Sequence, residues 1–200
     1  MPLDVNTKHS NYVYIGIIWE SLGNIGMFGG EFNVTLDDTG RISLPRRLRD
    51  ILQTEKVVLT KGADSCLWLY AADHWNVQEE IIVNSTDHFS ARGRRQRQHF
   101  IGSRQELDID RQGRILIPPA LRDHAGLSRE CIVLGQVDYI EIWDVDRYKA
   151  YLNASEEDFK AGLEEIGAII KKGSLGNYGN NPHSGVAGGD STVPRSEGQE

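Results

Sequence analysis

Residues 36–50, Leu-Asp-Asp-Thr-Gly-Arg-Ile-Ser-Leu-Pro-Arg-Arg-Leu-Arg-Asp, return 73 positions later as residues 109–123, Ile-Asp-Arg-Gln-Gly-Arg-Ile-Leu-Ile-Pro-Pro-Ala-Leu-Arg-Asp. No gap interrupts the alignment, and eight of the fifteen positions are identical. The same offset sets Gly62 on Gly135, Leu67 on Ile140, Leu69 on Ile142, Tyr70 on Trp143 and Trp75 on Tyr148. Two copies are too few for a solenoid, which needs about three or more to bury a continuous core. The repeat therefore predicts two similar halves packed into one pseudo-symmetric unit.

Each half has the same local grammar. An alternating strand (Phe32, Val34, Leu36; then Leu107, Ile109) runs into an Asp-x-x-Gly-Arg turn. In that turn the carboxylate accepts backbone N–H groups and the glycine supplies a positive φ. Asp37, Gly40, Asp110 and Gly113 are thus the turn-orienting residues. Short strands follow at 42–44 and 115–117, and Pro45 and Pro118 open short helices carrying Leu48 and Leu121 inward. Each half closes with two strands, 57–60 with 66–70 and 131–134 with 140–143. Between the halves, 73–83 reads as a helix with Asp73 as N-cap, and 86–101 as a second that Gly93 weakens. The expected class is mainly β with short helices, α+β.

The expected organisation is an N-terminal extension at 1–26, a first repeat domain at 31–76, a helical basic connector at 77–103 and a second domain at 104–148. A helical segment at 149–172 and a tail at 173–200 complete the chain. Ser155 and Asp158 have capping-box spacing, and Phe159, Leu163, Ile166 and Ile170 recur at helical spacing. The tail holds seven Gly, four Ser and two Pro, a composition that cannot offset its ordering entropy, so it is expected to be disordered. Residues 1–26 have no counterpart in the second half, and translation is expected to begin at Met27. Should they be made, Tyr12, Tyr14, Ile15, Ile17, Ile18 and Trp19 form an apolar patch or an interface.

Composition excludes several functions. The longest apolar run, Tyr12 to Trp19, is far short of the roughly 20 residues a membrane span needs. Cys66 and Cys131 stand alone, with no CxxC, HExxH or Cys/His cluster, so neither a zinc site nor a disulfide framework is expected and the compartment reads as cytoplasmic. No phosphate loop, nucleophile elbow or metal motif occurs; catalytic residues, metal ligands, cofactors and small-molecule substrates are all expected to be absent. Asp38-Thr39-Gly40 imitates the Asp-Thr-Gly of aspartic proteases, a remote alternative. Position 38 corresponds to Arg111 in the second copy, so the repeat does not preserve a carboxylate dyad. The net charge of −7 is carried unevenly: −1 in residues 1–26, −2 in 27–153 and −4 in 154–200. Local basic faces on the central region therefore remain available to a phosphate backbone.

The chain from Met27 to about Leu152 resembles the MraZ family, bacterial proteins of two tandem SpoVT-AbrB domains. The resemblance rests on Met27-Phe28-Gly29-Gly30-Glu31-Phe32, the two Asp-x-x-Gly-Arg turns at Asp37 and Asp110, and Leu67-Trp68-Leu69-Tyr70. It extends through Arg114-Ile115-Leu116-Ile117-Pro118, Leu121-Arg122-Asp123-His124-Ala125-Gly126-Leu127 and Ile140-Glu141-Ile142-Trp143. It implies swapped-hairpin β-barrel halves, ring-like homo-oligomers and nucleoid association. It further implies a transcriptional regulator bound to direct repeats of double-stranded DNA upstream of the division and cell-wall gene cluster. The ends depart from the pattern: family members usually begin at the equivalent of Met27, and the glycine-rich tail is longer than the family needs.

The chemistry of the repeated turn fits that role. An arginine following a glycine turn projects from a strand end and can fork two donors onto a phosphate or a guanine edge. Arg41 and Arg114 are the principal DNA-binding candidates, with Arg46 and Arg47 beside them at a helix start. Alternatively, each turn arginine simply pairs with its own aspartate, Asp37 or Asp110, and Arg46 and Arg47 lie on a solvated face. Arg49 and Arg122 recur in Leu-Arg-Asp and are expected to be structural, as in a salt bridge across the half-barrel. Arg94, Arg95 and Arg97 of the connector are candidate auxiliary phosphate contacts, otherwise a solvated face or an acidic subunit's interface. A different class is an AbrB-type antitoxin-like regulator that binds a toxin through residues 154–200; the internal duplication argues against it.

Overall fold

A computed structural model describes residues 28–171. The expected start at Met27, the patch at 12–19 and the disordered tail at 173–200 lie outside the described residues. In chain order the elements are β1 (Phe28–Thr35), β2 (Arg41–Ser43), α1 (Arg46–Leu52), β3 (Lys56–Lys61), β4 (Leu67–Ala71), α2 (Ala72–Ser85) and α3 (Ala91–Phe100). The second half continues with β5 (Gln105–Asp108), β6 (Arg114–Leu116), α4 (Pro119–Ala125), β7 (Glu130–Val137), β8 (Tyr139–Asp144), α5 (Val145–Ala154) and α6 (Glu156–Lys171). The class is α+β, built on antiparallel sheets.

A six-stranded sheet has the order β1-β7-β8-β4-β3-β5, and β2 pairs with β6 in a separate ribbon. Each half contributes its own hairpin, β3–β4 or β7–β8, but its first strand crosses over: β1 lies along β7 and β5 along β3. At the centre Leu67 opposes Ile142 and Leu69 opposes Ile140; in the ribbon Ile42 opposes Ile115. These pairs lie about one pseudo-two-fold axis.

Alternation then sorts the side chains. Ile42, Val57, Leu59, Leu67, Leu69, Ile115, Ile117, Ile140 and Ile142 are all fully buried in one core drawn from both halves, capped by Leu48 of α1 and Leu121 of α4. On the outer face Trp143 packs with Cys66, Ile132 and Leu134, and Trp75 of α2 with Val58 and Tyr70. Burial pushes the free Cys66 and Cys131 thiols up to about 12 and about 11.

The 73-residue offset fails at one strand. Ala71 pairs with Val57, whereas Asp144, 73 positions further on, pairs with Cys131, 74 beyond Val57. One extra residue between α4 and β7 therefore sets Gly135 opposite the role of Lys61, not of Gly62. The ribbon strands and α2 also start a residue before their expected positions. Asp73 lies in the first turn of α2, and its N-cap is Ala71. Gly93 is not a weak point of α3: it is buried, and a Cβ there would stand 2.0 Å from the Asp87 carbonyl oxygen. Ser90 caps α3 by accepting the Gly93 N–H at 2.9 Å.

The described residues to Leu152 form one unit, and those from Asn153 a second. In the latter, α6 begins with Glu156, Glu157 and Asp158, which complement the helix dipole, and Lys160 pairs with Glu156 at 2.7 Å. Its apolar stripe of Phe159, Leu163, Ile166 and Ile170 is exposed.

Candidate nucleic-acid interface

The two turns are built alike. Asp37 Oδ1 accepts the N–H groups of Thr39 and Arg41, both at 2.9 Å; Asp110 Oδ1 accepts those of Gln112 and Arg114, both at 2.9 Å. Gly40 and Gly113 donate to the Asp37 and Asp110 carbonyls at 2.9 and 2.8 Å, with φ of +81° and +76°. The Thr39 hydroxyl and the Arg41 N–H hold Asp37 below the usual carboxylate range. The Arg114 N–H and guanidinium do the same for Asp110.

The ribbon carries the arginines outward. Ile42 and Ile115 point into the core, so Arg41, Ser43, Arg114 and Leu116 share the opposite face. The two arginines differ in their tethers. Arg114 donates to Asp110 Oδ2 from Nε at 2.9 Å and from Nη2 at 2.8 Å, and its Nη1 stands 3.9 Å from Asp37 Oδ2 across the ribbon. The Arg41 guanidinium donates to the Thr39 hydroxyl at 2.8 Å and makes no ion pair among the described residues. Pairing with its own aspartate therefore describes Arg114 and not Arg41.

Arg46 and Arg47 lie exposed on the first turn of α1. Among the described residues Arg46 pairs only with Asp50, at 3.8 Å with both side chains solvated, a pair that contributes little. Their counterparts in α4 are Pro119 and Ala120, so the halves present different surfaces.

Arg49 and Arg122 make no salt bridge among the described residues. Each instead crosses to the other half, the Arg49 guanidinium lying against Gly113 and that of Arg122 against Gly40. The repeated Leu-Arg-Asp was the only sequence signal for this contact.

The connector arginines have separate fates. Arg97 donates to the Thr86 hydroxyl and to the Val83 and Thr86 carbonyls at 2.7–2.8 Å, closing the C-terminus of α2, so its fork is already occupied. Arg94 donates to the Phe89 carbonyl at 2.7 Å and the His88 carbonyl at 3.3 Å. Arg104 pairs with Glu79 at 2.6 Å. Arg95 is exposed with no partner among the described residues. Asp38 sits exposed at the turn tip while Asp37 organises the turn.

Among the described residues, no group of three or more His, Cys, Asp or Glu side chains could hold a metal ion, and no helix is long and apolar enough to cross a membrane.

A family model described as "MraZ protein, putative antitoxin-like" matches residues 27–96 and again 100–166, once in each half. The chain belongs to the MraZ family. Among its relatives, the transcriptional regulator MraZ of Treponema denticola is 39% identical over 140 residues, spanning 70% of this chain and 97% of that protein. The namesake from Treponema pallidum is 40% identical over 139 residues, with 70% and 93% covered. That of Alkaliphilus metalliredigens is 38% identical over 148 residues, with 70% and 99% covered. The family match thus spans the duplicated unit and most of α6.

Proposed function

We propose that this MraZ-family chain is a transcriptional regulator that binds double-stranded DNA sequence-specifically, without enzymatic activity or a cofactor. The observation that carries this is the β2–β6 ribbon, which sets Arg41 and Arg114, one from each half, on a single outward face above a rigid core. Arg41 is the freer of the two and makes the leading contact with a phosphate or a guanine edge; Arg46 and Arg47 add phosphate contacts. Asp37, Gly40, Asp110 and Gly113 hold the turns from which the two ribbon arginines project. Arg95 and Arg94 extend the basic surface.

The exchanged first strands support swapped-hairpin half-barrels as the underlying unit. Copies of that unit form a homo-oligomeric ring, and repeating the arginine pair around the ring matches direct repeats in the operator, raising affinity through effective concentration. The operator lies upstream of the division and cell-wall gene cluster, and the protein works in the cytoplasm at the nucleoid.

A gel shift on the DNA upstream of its own gene, with an unrelated fragment as control, tests the proposal. The parent should retard the upstream fragment selectively, and log affinity should fall linearly with log salt. The folded Arg41→Ala/Arg114→Ala variant should lose that selectivity; unchanged binding would remove the ribbon from the interface.

The exposed stripe of α6 favours one alternative, an antitoxin-like regulator that seats a small partner protein on its C-terminal segment. Co-purification of such a partner with the full chain, lost on Leu163→Asp, would support it; ring-sized particles of this chain alone would not.

A further inference from the structure

We infer that Arg49 and Arg122 are positioning residues for the DNA-reading arginines: each reaches across the pseudo-two-fold axis and clamps the glycine turn that aims the other half's arginine. This rests on the DNA-binding function proposed above.

The geometry is reciprocal. A Cβ on Gly40 would stand 2.7 Å from Arg122 Nη1 and 2.9 Å from its Cζ. A Cβ on Gly113 would stand 2.5 Å from both Cζ and Nη1 of Arg49. The flat guanidinium thus occupies the space that any other residue's side chain would need. A second tie comes from the backbone: the Leu44 N–H donates to the Gly113 carbonyl and the Ile117 N–H to the Gly40 carbonyl, both at 2.9 Å. Arg49 closes a circuit, because its Nε donates to the Leu44 carbonyl at 3.1 Å while its fork lies on Gly113. Among the described residues Arg122 Nε is buried without a hydrogen-bond partner, so Arg122 holds Gly40 by contact rather than through an Nε hydrogen bond.

Arg41 and Arg114 directly follow the clamped glycines. A turn that shifts takes its arginine with it, and a bidentate base contact tolerates little displacement. Each reading arginine is therefore aimed by the opposite half, which makes the pair's relative placement a property of the whole duplicated unit.

Arg122 gives the cleaner test, since removing it breaks no Nε hydrogen bond. Arg122→Met keeps the stem without the fork, and Arg122→Lys keeps the charge without the flat group. Affinity for the DNA upstream of the gene and for sonicated mixed-sequence DNA should be measured across a salt series, alongside thermal unfolding. Both variants should lose about 5–150-fold in affinity for the upstream fragment, the span of one bidentate base contact. Mixed-sequence affinity, salt slope and melting temperature should stay near the parent's. If Arg122→Lys binds like the parent, or Arg122→Met lowers the salt slope, Arg122 is a phosphate contact and the inference fails. It also fails if both DNAs lose affinity together with the melting temperature, if either variant does not fold, or if nothing changes. Arg41→Ala/Arg114→Ala and the parent are run in parallel: selective binding that survives the double substitution removes the ribbon from the interface, and a parent that binds the upstream fragment no better than mixed-sequence DNA overturns the proposed function itself, whatever Arg122 does.

Discussion

Gly113→Ala tests the cross-half contact through stability. Two costs and one gain follow from the structure. At φ +76° an alanine enters the left-handed region, at about 1–2 kcal/mol. Its Cβ would stand 2.5 Å from Arg49 Cζ, so Arg49 must leave. That gives up its hydrogen bond to the Leu44 carbonyl, about 1 kcal/mol for a partly solvated group. Alanine restricts the unfolded chain, returning about 0.4–1 kcal/mol. The net loss is about 1–3 kcal/mol, a fall of roughly 2–12 °C in melting temperature for a chain of this size. Fluorescence of the buried Trp75 and Trp143 reports the transition, at fixed protomer concentration so that association does not move the midpoint. Gly162→Ala in α6 is the control: among the described residues nothing stands within 4 Å of its Cβ, and helix propensity predicts a gain of about 0.5–1 kcal/mol. The coupling follows from a cycle with Arg49→Met, where the double variant should be less unstable than the sum of the singles. A Gly113→Ala midpoint within a degree of the parent's, or strict additivity in the cycle, would refute the contact.

Two further outcomes concern the β7–β8 hairpin. Burial raises the Asp138 carboxyl above its ordinary value, with the Gln78 side-chain amide donating to it at 3.2 Å. The folded state then holds its proton more tightly than the unfolded one, so stability falls as pH rises through the raised value. Asp138→Asn should therefore melt higher than the parent at pH 7, with the difference shrinking towards pH 4; a pH-independent difference would contradict this. Val137 is a β-branched residue at φ +62° with its side chain exposed. Val137→Gly should relieve about 1–2 kcal/mol of strain against about 0.5–1 kcal/mol of added chain entropy, so its denaturant midpoint should hold or rise, and a clear drop would contradict the strain.

The duplicated halves, both turns and both hairpins were legible in the sequence because their signals are local. The hydrogen bonds that close the turns at Asp37, Gly40, Asp110 and Gly113 span four residues or fewer, and the ribbon's alternation of Ile42 with its neighbours needs no distant partner. The crossing of β1 to β7 was not legible in these residues, since Val34 and Leu107 pack equally well against either hairpin by pattern alone. The one-residue slip in β7 was hidden for a related reason. Val57-Val58-Leu59 and Cys131-Ile132-Val133 are continuous apolar runs buried on both faces, and such runs carry no period to mark register. The surroundings of Gly93 and Arg97 were not legible because they depend on neighbours beyond their own helix: Asp87 approaches the first, and the end of α2 binds the second. A charge run alone cannot separate an arginine that closes a helix from one that faces solvent.

The departure from two-fold symmetry at the arginines runs through position 39. Thr39 stands where the second half has Gln112. Its hydroxyl donates to Asp37 Oδ1 at 2.6 Å and accepts from Arg41 at 2.8 Å, so it intervenes between the carboxylate and the arginine that would otherwise pair. Gln112 leaves Asp110 Oδ2 open, and Arg114 takes it with two donors. Asp37 Oδ2, unclaimed by Arg41, faces Arg114 instead at 3.9 Å. Both carboxylates thus gather around Arg114, while Arg41 is held by a neutral hydroxyl. A phosphate meeting Arg41 displaces only that bond, whereas one meeting Arg114 competes with a carboxylate already in place. The Thr39/Gln112 difference inside the repeat therefore helps give one pseudo-symmetric unit a readily offered arginine and a guarded one. Arg46 and Arg47 lie in the same half as Arg41, whereas the second half exposes Arg111 at its turn tip where the first half has Asp38, so the two halves present different charges beside the ribbon. In the assembly proposed above, each protomer would then meet its DNA repeat with a defined polarity, which head-to-tail repeats can match and inverted ones cannot.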